Sequence, residues 1–162
     1  MLLPRDAREL IRKGQWQTPT TGIAPGYVQA NLVMLPKAEA FSFLLFCIRN
    51  PKPCPILDVL EPGAWEPKIA PGADLRTDLP RYKIYRNGEF GEEAFEVGEF
   101  VQNDLVSFLF GCSFSFESAL QSAGVPVRNL EEDCNVSMYI TNRPCISAGP
   151  FSSPLVVSMR PM

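Results

Sequence analysis

The chain has 162 residues, 46% hydrophobic and 20% charged, with a formal net charge of −3 at pH 7. This is the length of one ordinary domain with enough apolar residues to fill a core, which excludes wholesale disorder. The acidic balance and the lack of a basic run exclude a nucleic-acid backbone binder, and the best apolar run, residues 41–48, falls far short of the roughly 20 residues of a membrane span.

Pro4 near a first turn and Gly14 just past an end predict an opening helix over residues 4–13, with Ala7, Leu10 and Ile11 as its apolar face. Residues 1–13 hold no apolar signal segment, and Asp6 and Glu9 argue against a transit peptide. Residues 18–31 are turn-rich, and residues 32–35 form a short strand. Ala38, Phe41, Leu44, Leu45 and Ile48 recur at helical spacing, predicting a helix over 37–48 that the prolines of 50–55 stop. Residues 56–60 read as a short buried strand. After a Pro- and Gly-bearing connection at 61–71, residues 81–86 have strand character and Asn87-Gly88 signals a tight hairpin, with a weaker strand pattern over 89–95. A helix is expected over 99–110, with Phe100, Leu105, Phe108 and Leu109 buried. Another follows over 116–123, closed by Gly124 and Pro126. Residues 136–141 and 155–159 read as strands, the second apolar enough for a central position to be expected. Alternating helices and short strands predict an α/β architecture. Because the chain ends just after that last strand, an incomplete copy of a larger fold is expected; an edge strand is the other reading.

Cys47, Cys54, Cys112, Cys134 and Cys145 are odd in number and widely spaced. They fit reduced thiols in the cytoplasm, with the mitochondrial matrix as the alternative location, better than a disulfide framework. The chain has no Cys-x-x-Cys pair and no histidine. No metal site or cofactor is therefore expected, and Ser-His-Asp and Cys-His chemistry within the chain is excluded. Proton transfer falls to Asp, Glu, Lys, Tyr, Cys or water.

Four stretches carry polar groups beyond what packing needs. In residues 20–31, Gly22 and Gly26 permit close backbone approach, and Tyr27, Gln29 and Asn31 alternate onto one face of an extended segment. This is either a ligand wall or a surface loop satisfying its own backbone. Residues 74–82 place Arg76 and Arg81 among Asp74 and Asp78, beside Tyr82. They form either a carboxylate clamp or a mutually paired surface cluster. In residues 111–117, small residues precede a helix start, where free N–H groups favour an anion; Cys112, Ser113, Ser115 and Glu117 supply reactive side chains. Here the alternative is that Ser115 is an ordinary N-cap and Glu117 an ordinary first-turn acid. Finally, Asn135, Ser137 and Tyr139 carry polar groups along a strand, as a hydrogen-bonded network or a site wall.

The runs at residues 24–32, 50–55, 76–82, 111–117 and 157–161 resemble the hydro-lyase family typified by the YcsI proteins, which includes the D-glutamate cyclase domain of animal mitochondria. The match runs in order from about Arg8 to the last residue, as a single region over residues 1–162. The resemblance implies an α/β fold: a three-layer sandwich with a mixed sheet plus a smaller α+β part, here incomplete. It also implies a lyase that removes water, and in the cyclase branch conversion of D-glutamate to 5-oxo-D-proline. Two positions depart from the family pattern. Arg128-Asn129 stands where an Arg-His pair is usual, and Cys134 where a basic residue is common. Family members also continue beyond Arg160-Pro161.

The expected partner is a small-molecule carboxylate, with neither nucleic acid nor membrane, and a homo-oligomer is left open. Glu117 is the first choice for proton transfer and Asp78 the second, with Cys112 the third catalytic candidate. Arg76 or Arg81 would bind a substrate carboxylate, helped by Tyr82, Ser113, Ser115, Tyr27, Gln29, Asn31, Asn135 and Tyr139. Dehydration of another hydroxy acid, and a non-catalytic remnant that binds a metabolite or partner, are the competing functions.

Overall fold

Proline at position 4 fixes the backbone where a first helical turn needs no N–H donor, and Asp6 and Arg12 match the dipole at the two ends of α1 (Pro4–Arg12). Ala7 and Ile11 turn inward, and Gly14, at φ +67°, releases the chain from the helix. The computed structural model describes residues 2–101, 104–132 and 134–161.

The core is a three-stranded sheet of β1 (Ala30–Pro36), β2 (Ile56–Leu60) and β5 (Leu105–Gly111), in the order β1-β5-β2 with both pairings antiparallel. The central strand corrects the helix expected over residues 99–110; residues 102 and 103 of that stretch lie outside the described residues. Val106, Ser107, Phe108 and Leu109 are buried in succession, a pattern that one helix face cannot supply. A short apolar run of this kind looks alike for a helix and for a strand covered on both sides. Here both sides are covered. Val106, Phe108 and Phe110 pack on α2 (Lys37–Arg49) through Ala40, Phe43 and Leu44, while Leu109 joins Leu60 and Leu75 beneath Leu32 and Met34. Phe43 meets Phe108 and Phe110 edge-on, at 5.0 and 5.9 Å between ring centres.

The end of α2 is fastened by Asn50. Its amide donates to the carbonyls of Phe46 (2.7 Å) and Ile146 (2.8 Å), and its Oδ1 accepts the Ile146 N–H (2.8 Å). A buried side chain that bonds two segments far apart in sequence fixes their register. β3 (Tyr82–Arg86) and β4 (Glu89–Ala94) form the hairpin that Asn87-Gly88 signals, with both turn residues at positive φ. The weakly patterned second strand is therefore real.

β6 (Ser137–Pro144) and β7 (Pro154–Met159) pair antiparallel in a separate ribbon. The central position expected for the last strand is corrected: among the described strands β7 pairs only with β6, and Leu155 is its one residue not exposed. Apolar composition states what a strand gains by burial, not whether another element covers it. Between the sheet and the ribbon lie a 3-10 turn at Ser113–Phe116, α3 (Glu117–Ser122) and α4 (Arg128–Glu131). The α/β class holds, and every described strand pair is antiparallel. No helix among the described residues is long and apolar enough to cross a membrane.

Candidate active site

The polar loop before β1 does not close on itself. The Cys112 N–H donates to the Gln29 carbonyl (3.1 Å), and the Gln29 N–H donates to Ser115 Oγ (2.9 Å), so the loop is stitched to the turn that follows β5. Between this loop, α1 and α3 lies an open cleft of about 950 Å3. Its walls bring together Tyr27, Gln29, Asn31, Ser115, Glu117 and Asn135, with Asp78 and Arg81 at the α1 side. Ser115 is thus neither a free hydroxyl nor an N-cap: α3 takes no side-chain cap. The anion site expected of free N–H groups is also narrowed. Those of Gly111, Cys112 and Ser115 donate to the carbonyls of Pro55, Gln29 and Cys112.

Glu117 lines the cleft from the start of α3. It is 5% exposed, and its Oε1 accepts the Arg160 Nε–H at 2.6 Å. The guanidinium is itself buried and uses its other nitrogens on Ser113 Oγ (3.0 Å) and Ser158 Oγ (3.2 Å). The rings of Phe114 and Phe116 stand 5.4 and 5.0 Å from its central carbon. Removing two charges from water is costly, and this arrangement offsets the cost by giving each guanidinium nitrogen a hydrogen-bond partner and setting two aromatic rings beside it. Among the described residues Glu117 Oε2 accepts no hydrogen bond, and the residue lines the cleft. One oxygen is clamped and the other is available.

Asp78 also lines the cleft, in a different condition. Its side chain is 3% exposed and accepts from Arg12 Nη2 (2.6 Å), the Asp74 N–H (2.8 Å) and Thr77 Oγ1 (3.1 Å), with Arg8 Nε 3.6 Å away. Both oxygens are engaged, so Asp78 fastens α1 to residues 74–78. The same hydrogen bond raises the Arg12 guanidinium above its ordinary pKa.

Several expected site residues lie elsewhere. Arg76 forms a two-pronged pair with Asp74 (2.9 and 2.7 Å), stacks on Trp65 and does not line the cleft. The pairing holds the Asp74 carboxyl below its usual value. Tyr82 is buried, donates to the Leu75 carbonyl (2.9 Å), and has its phenol pushed upward by burial. Tyr139 stands exposed on β6, away from the cleft. Ser113 supports Arg160 from behind, and Cys112 is half-buried beside the Gln29 junction. Arg81 reaches the cleft but pairs with Glu93 at 2.8 Å.

Sequence reasoning missed Arg160, Ser158 and Arg8. The run holding Ser158 and Arg160 carried the family resemblance yet gave no chemical signal of its own, because its partners lie 45 and 43 residues upstream. Arg8 is one of several charges on an amphipathic helix. Among the described residues no group of three or more His, Cys, Asp or Glu side chains is arranged to hold a metal ion.

A family model described as D-glutamate cyclase matches residues 106–162, a segment that contains both Glu117 and Arg160. Over 98% of its length the chain is similar to proteins named "Putative hydro-lyase": 60% identical to one from Geobacillus kaustophilus and 61% identical to one from Syntrophobacter fumaroxidans. A namesake from Stutzerimonas stutzeri is 57% identical over 99% of the chain. The chain spans 60–61% of the length of these three relatives.

Proposed function

We propose that this chain, similar over nearly its whole length to proteins named "Putative hydro-lyase" and over residues 106–162 to the D-glutamate cyclase family model, forms the catalytic cleft of a lyase that removes water from a small carboxylate metabolite. The carrying observation is Glu117: a buried carboxylate in the cleft lining, with one oxygen fixed by Arg160 and the other accepting no hydrogen bond among the described residues. A carboxylate held this way keeps a fixed direction and a free lone pair, which is what a proton-transfer group needs.

The specific reaction favoured by the kinship is closure of D-glutamate to 5-oxo-D-proline. The substrate amine attacks the carbon of its own side-chain carboxyl, a C–N bond forms and a C–O bond breaks. The ammonium gives up two protons, and both leave on the departing oxygen as water. In this reading Glu117 Oε2 takes a proton from the amine and returns it to the leaving oxygen. Gln29, Asn31 and Asn135 line the cleft as donors and acceptors that hold the substrate folded back on itself, and Ser115 fixes the Gln29 backbone beside them. Such positioning is worth roughly 7–11 kcal/mol of the barrier.

The test incubates the purified chain with D- and L-glutamate, follows 5-oxoproline and its handedness, and runs a panel of hydroxy acids alongside. Product from the D enantiomer alone is expected. A cooperatively folded chain that leaves both enantiomers untouched but dehydrates a hydroxy acid replaces the cyclisation reading; inactivity towards the whole panel removes the lyase reading.

A further inference from the structure

Four arginines gather around residues 71–81, and their donors are not equally engaged. Arg12 meets both oxygens of Asp78 and also donates to the Gly72 carbonyl (2.9 Å). Arg76 is paired two-pronged with Asp74. Arg81, 54% exposed at its side chain, pairs with Glu93 and stacks on Phe95. Arg8 differs from all three. Its side chain is 18% exposed, it lines the cleft, and its one hydrogen bond among the described residues goes from Nη2 to the Pro71 carbonyl at 3.2 Å.

The nearest carboxylate does not neutralise it. Arg8 Nε stands 3.6 Å from Asp78 Oδ2, an oxygen that already accepts from Arg12 and from the Asp74 N–H. Two guanidiniums therefore share one carboxylate. The other acids of α1 are paired elsewhere, Asp6 with Arg5 and Glu9 with Lys13. Glu117, also in the cleft lining, is matched by Arg160. Arg8 is thus the guanidinium on the α1 wall without a carboxylate of its own, although Glu66 lies nearby on the Gly72 N–H, and it is partly withdrawn from water, where its attraction for an anion is stronger than at the open surface. Nη1 is unengaged, and the guanidinium edge fits a carboxylate.

We infer that Arg8 is the receptor for a substrate carboxylate, the one that does not react. This deepens the proposed lyase reading and rests on it for the word substrate. The ligand class is a small dicarboxylate or amino diacid, one end on Arg8 and the reacting end towards Glu117. Arg8 is a binding residue and takes no part in proton transfer.

The decisive probe is glutarate, a five-carbon dicarboxylate without the amine that cyclisation needs. Its binding to the 162-residue chain is measured by titration calorimetry for the native sequence, Arg8→Met, Arg8→Lys and, as a surface control on the hairpin, Arg86→Met. Arg8→Met should weaken glutarate by about 10- to 100-fold, the range for losing a charged hydrogen bond, and Arg8→Lys by about 5-fold. In turnover, KM should rise by a similar factor while kcat stays within about threefold. Should Arg8→Met fold poorly, Arg8→Lys keeps the charge beside Asp78 and reads the same KM split. Glutarate binding that ignores both substitutions, or no glutarate binding by the native chain, overturns the inference. Arg8-dependent binding without turnover leaves it standing and removes only the lyase reading; turnover with a KM indifferent to Arg8 does the reverse.

Discussion

Asp78 and Glu117 are both buried carboxylates held by arginines distant in the chain, 66 and 43 residues away, yet they sit in opposite chemical conditions. Asp78 has two arginines, a backbone N–H and a hydroxyl around its two oxygens. Glu117 has one arginine on one oxygen, and that arginine is in turn held by two serines and two aromatic rings. Burial alone therefore does not mark a reactive acid. A carboxylate whose lone pairs are all engaged is a fastener, and one with a lone pair kept free at a cleft is available for chemistry.

The largest expected effect separates the two roles directly. Glu117→Gln keeps an acceptor for Arg160 but cannot take a proton, so kcat should fall by about 10²- to 10⁴-fold while thermal melting stays cooperative. Unchanged kcat removes Glu117 from the mechanism. Asp78→Ala should act chiefly on stability, leaving Arg8 and Arg12 without their shared partner. Since Arg12 is 42% exposed and can turn to water, the loss should lie near the low end for broken buried pairs, about 3 kcal/mol, or roughly 6–12 °C in Tm. A Tm shift under about 2 °C would mean that α1 is held by its apolar face instead.

A buried acid without any cation gives the comparison a scale. Cys47 is 1% exposed, and burial pushes its thiol up to about 12. In the unfolded chain it ionises near its ordinary value of 9.0. The folded state therefore binds more protons than the unfolded state between these values, so this contribution to stability is intact below pH 9 and is lost as pH rises towards 12. At pH 8 iodoacetamide should label the exposed Cys134 and spare Cys47, read by peptide mass spectrometry. Equal labelling would show that the core beneath α2 opens readily.

The smallest effect belongs to the partly exposed pair. Arg76 lowers the Asp74 carboxyl from its ordinary 3.8, mainly through their hydrogen bond. Its stabilisation is therefore present above about pH 4 and is lost as pH falls through the lower folded value. With side chains 42% and 31% exposed, solvent screens the pair, and Asp74→Asn should cost under about 1 kcal/mol in urea unfolding at pH 7. A larger cost would place Asp74 beside Asp78 as a second fastener.

Much of the candidate site was legible as composition but not as arrangement. The polar loop and the stretch after β5 each stood out alone, and the fold joins them at Gln29, Cys112 and Ser115. Tyr82, Arg76 and Tyr139 drew attention by the same residue-type logic and lie off the cleft. Residue type states what a side chain can do; whether it faces a cleft depends on partners from other elements.

The sequence by itself determined what is local. The opening helix follows from Pro4 and Gly14, the long helix from its apolar spacing, and the hairpin from Asn87-Gly88, each set by dihedral preferences and contacts within a few residues. Lack of histidine likewise limited which side chains of these 162 residues can move a proton. Tertiary structure decided the rest: that residues 105–111 are the central strand, that the apolar β7 stands exposed, that Arg160 holds Glu117, and that Arg76 pairs with Asp74 off the cleft. The physical reason is shared. Sheet neighbours, buried ion pairs and surface cover are contacts between distant segments, and such a contact leaves no periodic trace in either partner.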